Sequence, residues 1–317
     1  MENNWIILSY DIPTEYGKYP GSRSVDELIK NGIIILDKWP GPTSHDVVAT
    51  IKKIFGLKRA GHSGTLDPYV SGVLPITLEN SCKVIPALQN LDKEYVGIMH
   101  LHKDVDENEL NETIKKFIGE IKQIPPVRSA VTRKLRTRKI YSFDILERKD
   151  RDVLFKINCQ AGTYIRKLID DIGRSIGGAH MRELRRIKVG RFDESKIVKI
   201  HDIVDAYYLW KECGDELIRD FILPIEAAIE HLGKIIIKDS AIPSIINGSP
   251  LYTGGICKIQ RSIKFGELIA ILTLKGELVA LAKSNINAED IRKRKCLVAK
   301  TDRVIMKKEV YSSFKLL

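Results

Sequence analysis

Between residues 153 and 176 the apolar period changes from two to 3.6. Val153, Phe155, Ile157 and Cys159 alternate, as a half-buried strand requires; past Gly162-Thr163, residues Ile165, Leu168, Ile169, Ile172 and Ile176 fall on one helical face. A strand feeding straight into an amphipathic helix commits this region to layered α and β structure and places Arg166 in the helix's first turn. The same order recurs earlier: residues 33–36 read as a buried strand, and Thr43-Ser44 caps a helix carrying Val47, Val48, Ile51, Ile54 and Phe55, stopped by Gly56. Residues 95–101 alternate like a strand, residues 108–119 have helical spacing at Leu110, Ile114 and Phe117, and residues 141–146 look extended. No regular βαβα series with a Gly-x-Gly-x-x-Gly turn opens the chain, which disfavours a dinucleotide-binding fold. The expectation is an α+β domain on a mixed sheet.

The texture changes after Leu223-Pro224. Short apolar runs at 234–238, 266–274 and 277–283 lie between turn residues, the last two flanking the hairpin signal Lys275-Gly276, and Pro243-Ser244 starts a short helix. This pattern predicts a small β-barrel with a boundary near residue 230. A chain of 317 residues is long enough for two cores. Residues 1–22, broken by Pro13, Gly17, Pro20 and Gly21, read as an arm. A composition of 44% hydrophobic and 29% charged residues excludes intrinsic disorder. Apolar runs fall far short of the roughly 20 residues a membrane helix needs, and the N-terminus lacks a basic, apolar leader. A cytoplasmic location is therefore expected. Cysteines 82, 159, 213, 257 and 296 contain no Cys-x-x-Cys pair and are expected to be reduced and mostly buried.

The formal net charge is +11, and residues 128–191 carry all of it, with eighteen Lys and Arg against seven Asp and Glu. Two clusters stand out: Arg133, Lys134, Arg136, Arg138 and Lys139, then Arg182, Arg185, Arg186, Lys188 and Arg191. Clusters of this kind attract polyphosphate backbones through counterion release, so the segment reads as an RNA-binding face; a solvated face or a localisation signal is the plainer alternative.

Residues 58–75, punctuated by Gly61, Gly64, Pro68, Gly72 and Pro75, are expected to form no regular element. At the centre, Gly61-His62-Ser63-Gly64-Thr65-Leu66-Asp67-Pro68 places permissive glycines around one carboxylate whose direction the following proline restricts. Asp67 is the leading catalytic candidate, although an isolated Asp-Pro also suits a simple turn. His100 and His102 share one side of a strand without a third ligand nearby in sequence, so no metal site is expected.

These residues carry a resemblance. Lys38-Trp39-Pro40-Gly41-Pro42-Thr43-Ser44, the 61–68 loop with Gly72-Val73-Leu74-Pro75, Lys93-Glu94-Tyr95-Val96, and Gly162-Thr163-Tyr164-Ile165-Arg166-Lys167-Leu168 occur in the order found in the TruB and dyskerin group of RNA pseudouridine synthases. Pro125-Pro126, Ser129-Ala130-Val131, Leu135-Arg136 and the 178–186 motif, Gly178-Ala179-His180-Met181-Arg182-Glu183-Leu184-Arg185-Arg186, resemble the archaeal catalytic subunit of box H/ACA ribonucleoproteins. The region from Lys234 is similar to a PUA domain. Departures are modest: Tyr69 stands where relatives usually have Lys or Leu, Ser71 replaces a Thr and Asp92 a Gly, and none removes a catalytic group.

The resemblance implies a catalytic domain over 23–230, a PUA RNA-binding domain over 231–317 and an arm over 1–22 that packs near the latter. It implies isomerisation of uridine in tRNA or rRNA without a cofactor. Asp67 would be the catalytic aspartate, Arg166 would keep it ionised in a dry pocket, and Tyr95 would stack on the uracil. Leu184 would line the pocket, Tyr164 and Lys38 would belong to the substrate site, and His62 would pack against displaced RNA. For Lys38 and His62 a structural role stands beside the functional one. Implied partners are substrate tRNA and rRNA, a box H/ACA guide RNA and three accessory proteins; stand-alone action on the tRNA T-loop uridine remains a second mode. A non-catalytic RNA-binding scaffold is the competing class.

Overall fold

The structure is a computed structural model describing residues 4–125, 134–293 and 296–311. Arg133 and the 126–131 part of the second motif set lie outside the described residues. The larger sheet has ten strands. Its main path runs Leu223–Pro224, Gly32–Lys38, Ser71–Leu78, Ala179–Val189, Lys93–Leu101, Asp152–Cys159, Arg136–Lys149 and Gly119–Gln123, with Ala60–His62 and Phe192–Asp193 added at the side. Helix Ile165–Ser175 buries Ile165, Leu168, Ile169 and Ile172 in the core on this sheet, as its spacing predicts. Helix Ser44–Ile54 starts from a reciprocal cap in which Thr43 Oγ1 accepts from the Asp46 N–H and Asp46 accepts from the Thr43 N–H.

The sheet is continuous only because of a glycine. Ser71–Leu78 and Ala179–Val189 run parallel and pair only at Ser71 with Arg185 and Gly72 with Arg186. Gly72 has φ +101°, and a Cβ there would lie 2.1 Å from the Arg186 carbonyl oxygen, so no other residue fits this joint.

Three sequence expectations need correction. The 58–75 stretch is not wholly irregular, because Ala60–His62 forms a strand and Ser71 opens another. Gly61 allows this by its lack of a side chain, since a Cβ would meet Ile85 at 2.7 Å. The helix expected over 108–119 is Glu107–Lys115, and Gly119, at φ +101°, begins an edge strand instead. All five cysteines are free, but only Cys159 and Cys257 are buried, with Cys213 exposed at the end of a helix whose outer side faces solvent.

The C-terminal unit is a seven-strand sheet ordered Trp5–Ile7, Ile256–Gln260, Gly233–Ile237, Leu268–Leu272, Leu278–Ser284, Leu297–Val304 and Leu251–Tyr252. The predicted hairpin turns at Gly276, φ +87°. The arm contributes this sheet's first strand, and Thr14 then donates from N and Oγ1 to Asp239 at 2.8 and 2.7 Å. An apolar layer including Ile33, Ile35, Val189, Leu272, Leu278 and Ile305 joins the two units. Beside it, the Arg23 guanidinium makes a two-pronged bond to Glu226, whose carboxylate also accepts the Leu278 N–H. No helix among the described residues is long and apolar enough to cross a membrane.

Candidate active site

Asp67 sits on a loop whose backbone is clamped from beneath. Lys38, with no exposed surface, donates through Nζ to the carbonyls of Trp39, Pro68 and Val70 at 2.8–2.9 Å. Ser44 Oγ accepts the Leu66 N–H at 2.9 Å and donates to the Leu66 carbonyl at 3.1 Å. From the neighbouring strand, Arg186 donates to the Gly64 and Val73 carbonyls at 3.1 and 2.8 Å. Every segment flanking the carboxylate is thus held by a side chain that is itself immobilised, the condition for a preorganised site.

Arg166 meets Asp67 from the first turn of helix Ile165–Ser175, Nη2 to Oδ2 at 2.7 Å. The helix start is held by buried Gln123, which accepts from the Tyr164 N–H and donates to the Tyr164 carbonyl at 3.0 and 3.2 Å. The carboxylate therefore faces a guanidinium that is anchored in the first turn of a helix. The pocket is not dry, contrary to expectation. Arg166 and Asp67 side chains are 59% and 52% exposed, because the loop tip and helix start both lie at the sheet's surface.

Tyr95 is buried beside them and stands directly across the strand pair from Arg186. Burial pushes its hydroxyl above the usual phenol range against the opposing pull of the Arg186 guanidinium. Leu184 is buried in the same core as Tyr95 and Leu66. His62 packs edge-on to His45 with ring centroids 5.3 Å apart. Burial, helped by His45 and Arg186, lowers its pKa to about 4, so the ring is neutral near pH 7.

Of the residues predicted for this site, Asp67 and Arg166 meet directly, Tyr95 and Leu184 are buried in one core, Tyr164 caps the helix that carries Arg166, and His62 ends the strand before the loop. Lys38 does not belong to the substrate surface, since its ammonium is spent on three backbone carbonyls beneath the loop. One residue expected on an RNA surface is corrected too. Arg186 is 1% exposed and points into the core, while Arg185 is partly exposed and pairs with Asp37 and Glu194 at 2.9 and 2.6 Å. Lys134 is exposed, while Arg136 and Arg138 are half-buried at the start of Arg136–Lys149. Sequence inspection missed Ser44, Lys93 and Gln123. Nothing local marks Gln123, whose partner lies 41 residues away.

The histidine pair acquires a third ring that sequence spacing concealed. His180 arrives from the adjacent strand with Nδ1 2.9 Å from His102 Nε2, and His100 Nδ1 lies 2.7 Å from Asp152. Among the described residues no group of three or more His, Cys, Asp or Glu has the arrangement of a metal site.

Residues 52–165 match the TruB family pseudouridylate synthase N-terminal domain, residues 166–230 the tRNA pseudouridylate synthase B C-terminal domain, residues 233–305 the PUA domain and residues 7–48 the DKCLD domain. The chain is 51% identical to a probable tRNA pseudouridine synthase B of Methanopyrus kandleri, over 96% of this chain and 92% of that one. It is 50% identical to the Pyrococcus furiosus protein of the same name, over 94% and 88%. Among solved structures, a chain of a Cbf5–Nop10–Gar1 complex superposes with a TM-score of 0.91 at 48% identity, covering 98% of this chain and 96% of that one. A chain of an H/ACA RNP bound to a substrate RNA containing 2′-deoxyuridine gives 0.90 at 46%, covering 98% and 97%. With a catalytic domain and a PUA domain arranged as in those structures, the chain belongs to the TruB family of pseudouridine synthases.

Proposed function

We propose that this chain isomerises uridine to pseudouridine in RNA with Asp67 as the catalytic carboxylate. The observation that carries this reading is the Asp67–Arg166 pair, 2.7 Å apart, on a loop clamped from three sides and open to solvent on the fourth. Isomerisation breaks the uracil N1–C1′ bond, turns the ring and rejoins it through C5. Such a reaction needs a fixed anion facing C1′, where positive charge develops. An open pair is suited to a nucleotide that is first flipped out of its stack and that completes the pocket on arrival. Tyr95, held by burial, supplies a ring face against which the detached uracil keeps its place.

Residues 23–230 are the catalytic unit in this reading, residues 231–317 an RNA-binding unit and residues 1–22 an arm fastened to it. The substrates are tRNA and rRNA uridines, the latter selected by a box H/ACA guide RNA. The assemblies in which its structural neighbours were solved support a particle with guide RNA and accessory proteins. Asp67→Asn, which keeps the shape and removes the charge, should abolish pseudouridine formation in a matched RNA, alone or with guide RNA and accessory proteins, while RNA affinity stays near that of the unaltered chain. Chromatography of digested nucleosides and a filter-binding titration measure the two. An active variant would overturn the assignment, and an unaltered chain that binds RNA but never converts it would favour a scaffold.

A further inference from the structure

The two members of the Asp67–Arg166 pair hang from different parts of the large sheet. The loop of Asp67 is clamped by Lys38, Ser44 and Arg186, whereas Arg166 opens a helix that follows the strand Asp152–Cys159, toward the sheet's other end. Both side chains are more than half exposed, and an ion pair so open to water holds its members together only weakly. The geometry of the pair is therefore set by whatever fixes the backbone before Arg166.

Two glutamines fix it, each using its side-chain amide as a rung of β-ladder. Just past Cys159, Gln160 N donates to the Lys139 carbonyl at 2.8 Å and Gln160 Oε1 accepts from the Lys139 N–H at 3.2 Å, so contact with the strand Arg136–Lys149 continues into the turn. Thr163 Oγ1 donates to the Gln160 carbonyl at 2.7 Å, and the Arg138 guanidinium lies over Gly162, where a Cβ would come within 3.1 Å of it. Gln123 then reaches from the strand Gly119–Gln123 to Tyr164, two residues before Arg166, accepting from its N–H at 3.0 Å and donating to its carbonyl at 3.2 Å. Gln123 is 3% exposed. A methionine would fill that space with no polar group to satisfy, whereas a buried amide needs both of its ends bonded. Here both ends go to the backbone of one residue. Such a two-point attachment fixes the orientation of Tyr164 as well as its place, which a single capping bond leaves free.

We propose that Gln123 is a positioning residue for the isomerisation: through Tyr164 it registers the Arg166 guanidinium on Asp67, while Gln160 holds the turn that leads there. This rests on the isomerase reading above. Since both ends of the Gln123 amide are taken up by Tyr164, its effect on the reaction passes through the helix start and reaches the carboxylate only by way of Arg166.

The test is a double-mutant cycle in rate. Single-turnover conversion at saturating RNA is measured with the full chain, guide RNA and accessory proteins on a matched RNA, for the unaltered chain, Gln123→Met, Arg166→Gln and the double variant. Gln123→Met should slow conversion by about tenfold to a hundredfold, the cost of a misplacement of about 1 Å, with RNA affinity by filter binding within about twofold. In the Arg166→Gln background the same change should cost less than about twofold, because the group it positions is gone. Equal slowing in both backgrounds would assign Gln123 to the fold or the RNA surface and overturn the proposal, and so would no slowing in either. If Arg166→Gln leaves no measurable rate, Arg166→Lys takes its place, since a point charge on a flexible stem depends less on register than a planar guanidinium; the factor for Gln123→Met should then shrink, and an undiminished factor overturns the proposal. If Gln123→Met fails to fold, Gln123→Glu, which still accepts from the Tyr164 N–H but repels its carbonyl, carries the same cycle. Conversion by the unaltered chain tests the isomerase reading separately, since the inference is read only from ratios between variants.

Discussion

Two arginine-rich clusters of similar composition have opposite fates. In the second, Arg182 pairs with Asp152, Arg185 with Asp37 and Glu194, Lys188 with Glu94, and Arg191 with Glu230, while Arg186 is buried under the loop that carries Asp67. In the first, Lys134, Arg138 and Lys139 form no ion pair with a carboxylate among the described residues, and Lys134 and Lys139 are exposed. The strand positions explain the difference. Ala179–Val189 runs through the middle of the large sheet, among strands that carry Asp37, Glu94 and Asp152 to its cations, whereas Arg136–Lys149 lies next to the edge. A net charge counted along the sequence does not distinguish a cation that meets RNA from one that holds a fold, because a central strand must satisfy its cations internally.

The same substitution in both clusters breaks this comparison most directly. Arg186→Met removes the donors to Gly64 and Val73 and leaves their carbonyls facing an apolar chain, so unfolding in urea should show a loss of about 3–5 kcal/mol. Lys134→Met, at an exposed position just before the edge-side strand Arg136–Lys149, should stay within about 0.5 kcal/mol. Comparable losses in the two variants would mean that the clusters are alike after all.

What was legible in the sequence follows from the range of the interactions. The periods that place Val153, Phe155 and Ile157 in a strand and Ile165, Leu168 and Ile172 in a helix are local, and so is the cap at Thr43; all reappear in the structure. Asp67, Tyr95 and Arg166 were recognisable as motifs. The burial of Arg186 was not, because it depends on Gly72 bringing a strand from more than a hundred residues away against it. The same reason hid the meeting of His102 with His180 and of Gln123 with Tyr164. For Lys38 the structural role that stood beside the substrate-site one is the one the fold supports, because its ammonium reaches the carbonyls of Pro68 and Val70 some thirty residues away.

His62 sharpens the comparison through pH. Its folded-state pKa of about 4 lies below the ordinary 6.5 because burial and the nearby His45 and Arg186 disfavour the imidazolium. Between those values the unfolded chain binds a proton that the folded chain refuses, so stability is lost as pH falls from 6.5 toward 4, by roughly 2–3 kcal/mol. The difference in urea stability between the unaltered chain and His62→Gln, followed from pH 7 to 4, should close by that amount. Arg136→Met should leave the trend intact, since Arg136 is not among the groups that shift His62; a parallel course for the unaltered chain and His62→Gln would show that the ring titrates normally.

The smallest expected effect concerns the first cluster alone. If Arg136 contacts one phosphate, Arg136→Ala releases one fewer counterion on binding, and the slope of log affinity against log salt should become shallower by about one. Affinity at a single salt concentration would fall modestly, so the slope rather than the constant is the quantity to measure. Arg185→Ala is the matched control from the second cluster, because Asp37 and Glu194 already neutralise that guanidinium and its removal should leave the slope no shallower. A shallower slope in Arg185→Ala, with none in Arg136→Ala, would place the RNA path at the centre of the sheet rather than its edge, beside the Asp67 loop and the buried Arg186.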